Sequence, residues 1–202
     1  LKLFFIMIGY DRFFASVIGA KSNPKHHDVA DKLIKKCKTI EKQVASGGNN
    51  WLFQTYNTHS THSICTDKSF KSINKFVSEA VQEYCKDTKL DASRIQKNPT
   101  DGWLNIYNKG DSQEFHTHAN SIISAVYYLK APIDSARFYF KNPYQDMLAP
   151  QVTEATFDNT QIAHITPVEG SVIIFRSYIE HMVQQHNIDE QRISLAYNFY
   201  KS

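Results

Sequence analysis

Nothing in this chain pairs its cysteines. There are 3 of them, Cys37, Cys65 and Cys85, far apart in sequence and in no CxxC arrangement. A disulfide scaffold and a thiolate metal site are both disfavoured, and reduced thiols in a cytoplasmic protein are the expectation. An excess of either charge is missing too. The formal charge is only +3, and most lysines fall in two helical stretches of the first half. A solvated helix face accounts for them better than a nucleic-acid surface does. The chain also lacks a long hydrophobic run. The opening LKLFFIMIG is far too short to cross a membrane. With Asp11 and Arg12 behind it and no small-residue cleavage site, it reads as a buried strand rather than a signal peptide. Internal repeats and low-complexity segments are absent. What remains is 202 residues, 42% apolar and 21% charged, which suits one globular domain able to bury a core.

The first half carries two amphipathic helices. In residues 26–45 the positions Val29, Leu33, Ile34, Cys37, Ile40 and Val44 recur at three- and four-residue steps, and Gly47-Gly48 is expected to stop the helix. In residues 68–86 the series Phe70, Ile73, Phe76, Val77, Ala80, Val81 and Tyr84 repeats the spacing. Each apolar stripe needs a partner, and a sheet face is the natural one.

From Trp103 the texture changes to short β runs: WLNIYN, EFHTH, SIISAVYYL, ARFYF, SVIIF, EHMVQQ and RISLAYNFY. Turn signals rich in Asn, Pro, Gly and Asp separate them. Helices first and strands afterward give an α+β class, with a jelly-roll barrel as the expected architecture and the N-terminal helices packed on one sheet. Residues 1–100 form the supporting region and 101–202 the core of a single domain. In the last strand Ile193, Leu195, Tyr197 and Phe199 share one face, suited to the helices. Arg192, Ser194, Ala196 and Asn198 share the other, suited to a polar cavity. The strand WLNIYN repeats this, with Leu104 and Ile106 opposite Asn105 and Tyr107.

His116-Thr117-His118 is an HxH pair in a strand context, where residues two apart point the same way and both imidazoles can meet one metal. His181 opens a later strand, and Arg192 opens the cavity face of the last one. Three ligands on one side of an ion leave positions for a bidentate co-substrate and O2, the arrangement of non-haem iron(II) sites. A nearby arginine can grip a carboxylate through two parallel hydrogen bonds. Blander readings compete with these. An isolated HxH is more often incidental, Arg192 could be a salt-bridged structural residue, and Tyr127 and Tyr128 could simply be core. His186 falls on the opposite strand face from His181, Val183 and Gln185. His164 is a spare histidine. His26, His27, His59 and His62 precede the strands and read as surface groups.

The pattern W-x-N…G…H-x-H…S-x-x-Y-Y-L…F…P…G…F-x-S…H-x-V…R-I-S-x-x-x-N, from Trp103 to Tyr200, resembles the 2-oxoglutarate/iron(II) oxygenase superfamily near its prolyl-4-hydroxylase-like branch. The resemblance implies a double-stranded β-helix and a hydroxylase that uses Fe(II), 2-oxoglutarate and O2 and releases succinate and CO2. It assigns His116, His118 and His181 to the metal and Arg192 to the distal carboxylate of 2-oxoglutarate. Ser194 and Tyr128 would assist Arg192, and Asn105 and Asn198 would line the same cavity. His118 departs from the usual pattern, which has Asp or Glu at that place. The substrate, a peptide or a small molecule, is left open, as is the oligomeric state. No nucleic acid or membrane is implied. Two rivals remain: a three-histidine, cupin-type dioxygenase independent of 2-oxoglutarate, and a non-catalytic jelly-roll binding module. A fixed cation such as Arg192 favours the first reading over the second, and an intact histidine set disfavours the third.

Overall fold

The computed structural model describes residues 14–47, 52, 54–144, 151–156 and 159–202, so the strand expected at LKLFFIMIG lies outside the described residues. The two helices form where their stripes place them. Helix α1 spans His26–Gln43 and buries Ala30, Leu33, Cys37 and Ile40. A single turn of 3-10 helix, Lys68–Phe70, leads into α2, Lys71–Asp87. Asp67 starts that turn by accepting the Ser69 N–H at 2.9 Å, which satisfies one of the orphan donors of a helix start. The α1 stop differs from the expected one. Val44 is already extended, and Gly47 serves a different purpose. A Cβ there would lie 1.7 Å from the His59 carbonyl oxygen, so glycine is what lets the two backbones approach.

Among the described residues ten strands follow one another as β1 (Gly19–Ser22), β2 (Tyr56–Asn57), β3 (Asp101–Tyr107), β4 (Gln113–His116), β5 (Ile123–Lys130), β6 (Phe138–Lys141), β7 (Ile162–Ile165), β8 (Ser171–Arg176), β9 (His181–Val183) and β10 (Arg192–Phe199). They form two antiparallel sheets, six strands in the order β1-β8-β5-β10-β3-β2 and four in the order β4-β9-β6-β7. The larger sheet has a distinct cluster on each face. Leu104, Ile106, Leu195, Tyr197 and Phe199 pack with Leu33, Cys37, Ile40, Ile73, Val77 and Val81 of the helices. On the other face Tyr107, Val126, Tyr128, Ile173 and Phe175 pack with Phe138, Phe140 and Val183 of the smaller sheet. The alternation seen in WLNIYN and RISLAYNFY therefore divides the molecule into a helix layer and an inter-sheet layer. Burial of these side chains supplies the stability, at about 1.5–3 kcal/mol for each large one.

Cys37 and Cys85 are buried in the helix-side core and Cys65 is half-buried; all three are free thiols. Burial pushes the Cys37 thiol up to about 12 and Cys65 to about 11, far from a reactive thiolate. Among the described residues, no helix is long and apolar enough to cross a membrane.

Candidate metal centre and anion pocket

His116 ends β4 and His181 begins β9, and the two are directly opposed in the register of that pair. The ladder is irregular between Gln113 and His116, a kink of the kind that re-aims side chains beside functional sites. His118 is not on the strand as the HxH spacing suggests; β4 stops at His116. His118 is held instead by its own N–H, which donates to the Ser177 carbonyl at 3.2 Å. Even so, its Nε2 comes within 3.2 Å of His181 Nε2. The candidate ligand atoms of His116, His118 and His181 all lie within 4.8 Å of one another.

Two of these rings are oriented alike by their own chain. His116 Nδ1 lies 2.8 Å from the Glu114 carbonyl and His181 Nδ1 lies 2.8 Å from the Ile179 carbonyl. A ring that donates from Nδ1 turns its Nε2 lone pair toward the centre, the outer-shell device common to ligating histidines. Burial lowers all three imidazoles. His118 is held at about 3 by burial and by the neighbouring His116, and His181 is pushed well below its ordinary value. His116 is lowered by burial as well. The three are therefore neutral near pH 7, the state a metal requires. Phe138 and Phe175 close on His181 at ring distances of 5.2 and 4.8 Å, giving the centre a dry wall. The donor set fits a divalent iron: three neutral nitrogens, with room left on the cleft side.

The second feature lies at the far end of β10. Arg192 has no measurable exposure, yet its Nε, Nη1 and Nη2 have no hydrogen-bond partner. The guanidinium lies over the Tyr107 and Tyr128 rings at 4.6 and 5.2 Å, and Tyr107 is its cross-strand partner. The Tyr128 hydroxyl is likewise buried without a partner. Burial lifts it to about 12, with Arg192 acting against the rise, so it stays a neutral donor. A buried cation with no counter-charge is costly by several kcal/mol. An arginine and a phenol lying side by side without acceptors supply donors for a carboxylate and little for a cation. The β10–β5 ladder shifts between Ile193 and Ser194, so the strand is irregular beside this pocket.

The remaining residues singled out from sequence separate into two groups. Ser194 sits directly across from Tyr128 on one side and Asn105 on the other, on the Arg192 face of the sheet. Asn198 lies at the opposite end, its Nδ2 3.3 Å from His118 Nδ1 and 3.0 Å from Asp101 Oδ2. His186 is buried but spoken for: Nδ1 accepts the Ala136 N–H at 3.2 Å and Nε2 meets the Glu190 carbonyl at 2.6 Å. His26 is not the surface group its position suggested. It is buried, with Nδ1 2.9 Å from the Tyr127 hydroxyl. Tyr107, Asp101, Trp103 and Tyr200 were not anticipated as site residues. For Tyr107 the signal was available, since it shares the cavity parity of Asn105.

With this geometry in place the likeness to known proteins can be stated. Residues 101–198 match the family described as "Putative 2OG-Fe(II) oxygenase". That segment carries the likeness to the 2OG-Fe(II) oxygenase family. Iron(II), 2-oxoglutarate and O2 are the reactants of the family, and the three-histidine cluster suits the metal. Among solved structures, a Pseudomonas putida prolyl-4-hydroxylase has a TM-score of 0.62 at 13% identity, covering 93% of this chain and 94% of that one. A Trichoplax adhaerens prolyl hydroxylase, solved with a hypoxia inducible factor peptide fragment, has a TM-score of 0.63 at 12% identity, covering 91% and 83%. HygX from Streptomyces hygroscopicus, solved with nickel and 2-oxoglutarate, has a TM-score of 0.61 at 6% identity, covering 92% and 83%. At such low identity these likenesses establish the 2OG-Fe(II) oxygenase fold, with its α+β layering and antiparallel sheets. No curated protein matches the chain.

Proposed function

We propose that this chain is an iron(II)- and 2-oxoglutarate-dependent dioxygenase that hydroxylates its substrate, acting as a single double-stranded β-helix domain. His116, His118 and His181 hold the metal. Arg192 receives the distal carboxylate of 2-oxoglutarate, with Tyr128 donating its hydroxyl and Ser194 and Asn105 lining the same space. When bound, the iron and 2-oxoglutarate supply, with O2, the oxidising chemistry that releases succinate and CO2. The protein's own part is positioning. Glu114 and Ile179 carbonyls aim two imidazoles, Phe138 and Phe175 keep water from His181, and the Tyr107 and Tyr128 rings fix the guanidinium. The carrying observation is Arg192, fully buried and without a partner, because only an anionic ligand removes its desolvation cost.

One observation favours a second reading. Among the described residues no carboxylate belongs to the metal cluster, which also suits a three-histidine dioxygenase that ignores 2-oxoglutarate. Anaerobic titration with iron(II) and then 2-oxoglutarate separates the two. The first reading requires a weak visible metal-to-ligand band that saturates with 2-oxoglutarate, and succinate once O2 is admitted. Iron binding with no such band and no succinate would leave the second reading standing. The substrate is a peptide or a small molecule; the peptide complexed with the Trichoplax neighbour and the hygromycin B bound to HygX support leaving both kinds in play.

A further inference from the structure

A cleft of about 230 Å³ opens onto His116 and His118 and is lined also by Asn57, Asp101, Trp103 and Tyr200. A neighbouring cavity of about 290 Å³ shares Asp101, Trp103 and His59 with it. Neither has a lysine or arginine in its lining, and Asp101 is the one carboxylate in both. Asp101 is fixed rather than mobile: its Oδ2 accepts from Asn198 Nδ2 at 3.0 Å and from the Tyr200 hydroxyl at 2.7 Å. Both donors are neutral and both use the same oxygen. Among the described residues no cation pairs with this carboxylate. Beside it stands Trp103, largely buried, its ring 5.6 Å from that of His118.

The register of β3 against β10 gives the arrangement a direction. Tyr107 opposes Arg192 at one end and Asp101 opposes Asn198 at the other, roughly 20 Å apart along the strands. The histidine cluster touches the Asp101 end through Asn198. The Arg192 end of these strands is thus buried and positive, and the cleft beside His116 and His118 is negative and aromatic.

We propose that the primary substrate presents a protonated amine to this cleft, held by Asp101 and packed on Trp103, close to the His116–His118 side of the metal centre. The inference rests on the oxygenase reading above. A carboxylate with one oxygen free, beside an aromatic ring, attracts an ammonium group through charge and ring quadrupole together. The same wall repels phosphates and carboxylates, which keeps a second 2-oxoglutarate out of the substrate position. A lysyl side chain and a free diamine offer the same chemistry, and the test distinguishes them.

The full chain, loaded anaerobically with iron(II) and 2-oxoglutarate, is titrated with four probes: Nα-acetyl-lysine methylamide, 1,4-diaminocyclohexane, the Nε-acetylated lysine probe and Nα-acetyl-glutamate methylamide. Binding is read from tryptophan emission and from the shift of the visible band, neither of which needs turnover. At least one cation binds, at least tenfold tighter than the neutral and anionic probes, and the tighter cation identifies the source. Asp101→Asn removes that preference and Asp101→Glu retains most of it, while Trp103→Leu weakens the cation without making the anion bind. The inference is overturned if the neutral probe binds as well as its cation, if Asp101→Asn leaves cation affinity unchanged, or if neither cation binds. A visible band that never forms would instead count against the oxygenase reading, since emission reports the amine separately.

Discussion

The two faces of β10 are equally buried and chemically opposite. Every residue from Arg192 to Phe199 is inaccessible to solvent or nearly so. On the helix side, Ile193, Leu195, Tyr197 and Phe199 belong to the apolar cluster shared with the helices, and the Tyr197 hydroxyl donates to Asn74 at 3.0 Å. On the inter-sheet side, Arg192 has the Tyr107 and Tyr128 rings beside it but no hydrogen-bond acceptor, and Asn198 is drawn toward His118. His186 supplies the control. It too is polar and fully buried, yet both its nitrogens meet backbone groups. Burial therefore does not mark a functional polar residue. What sets Arg192 apart is a buried charge whose three guanidinium nitrogens all lack an acceptor, a cost for which folding alone gives no compensation.

The comparison breaks most visibly at the histidines. His181→Ala is expected to abolish metal binding and 2-oxoglutarate turnover, whereas His186→Ala should keep the metal and lose stability, by about 1–3 kcal/mol for the hydrogen-bonded groups left unpaired. Metal titration and urea unfolding of both variants read this directly, and the reverse result would exchange their roles. Arg192 comes next. Arg192→Ala should weaken 2-oxoglutarate about ten- to a hundredfold, the effect of losing about 1.5–3 kcal/mol of charge-assisted bonding, with metal affinity nearly unchanged. Arg192→Met sharpens the point. Replacing an unpaired buried cation with an apolar chain should stabilise the ligand-free protein, by about 1–4 kcal/mol. Unchanged or lower stability would mean that the guanidinium is satisfied after all.

The division of β3 and β10 into two faces could be read from sequence because a strand's period is two and both strands are long. The two helices could be read for the same reason at a period of 3.6. Short elements carry no such period. Strands β1 and β2, with four and two residues, and the exposed strand β7 have too few alternations to stand out. His118 shows a different limit. Strand parity does not explain its place near His116, because β4 ends before it; its backbone is held by the bond to Ser177, a residue distant in sequence. The same holds for Asp101 and Trp103. Their importance arises from what the loop carrying His59 and the end of β10 place beside them, and no spacing rule encodes that.

Acid should expose the contrast between the faces without any mutation. Burial lowers His116, His118 and His181, so below about pH 6.5, the ordinary imidazole value, the unfolded chain binds protons that the folded chain refuses. Stability then rises with pH in this window and falls as pH drops from about 6.5 toward the folded value of about 3 for His118. Each refused proton contributes up to about 1.4 kcal/mol per pH unit. Metal-free protein followed by urea unfolding should lose stability steadily as the pH is lowered from about 6.5 to about 5. A His118→Gln, His181→Gln double variant should have a flatter profile, and an unaltered slope would show that these imidazoles titrate normally.

The smallest effect is expected from His118→Asp, the exchange that supplies the carboxylate implied by the family resemblance. An imidazole there leaves the iron site one unit more positive. That favours an anionic co-substrate and makes the empty site less attractive to a bare dication. Metal affinity should accordingly be modest alone and higher once 2-oxoglutarate is present. His118→Asp should retain the metal, raise its affinity in the absence of 2-oxoglutarate, and narrow the gain that 2-oxoglutarate brings. The change should stay within about tenfold, since one neutral donor is exchanged for one charged donor in a partly wet site. His118→Ala should lose most metal binding and activity, because only two of the converging nitrogens remain. Isothermal titration with iron(II), with and without 2-oxoglutarate, measures each of these. If His118→Ala binds iron(II) as the parent does, the histidine belongs to the substrate cleft it shares with Asp101 and Trp103, and the metal is held by His116 and His181 alone.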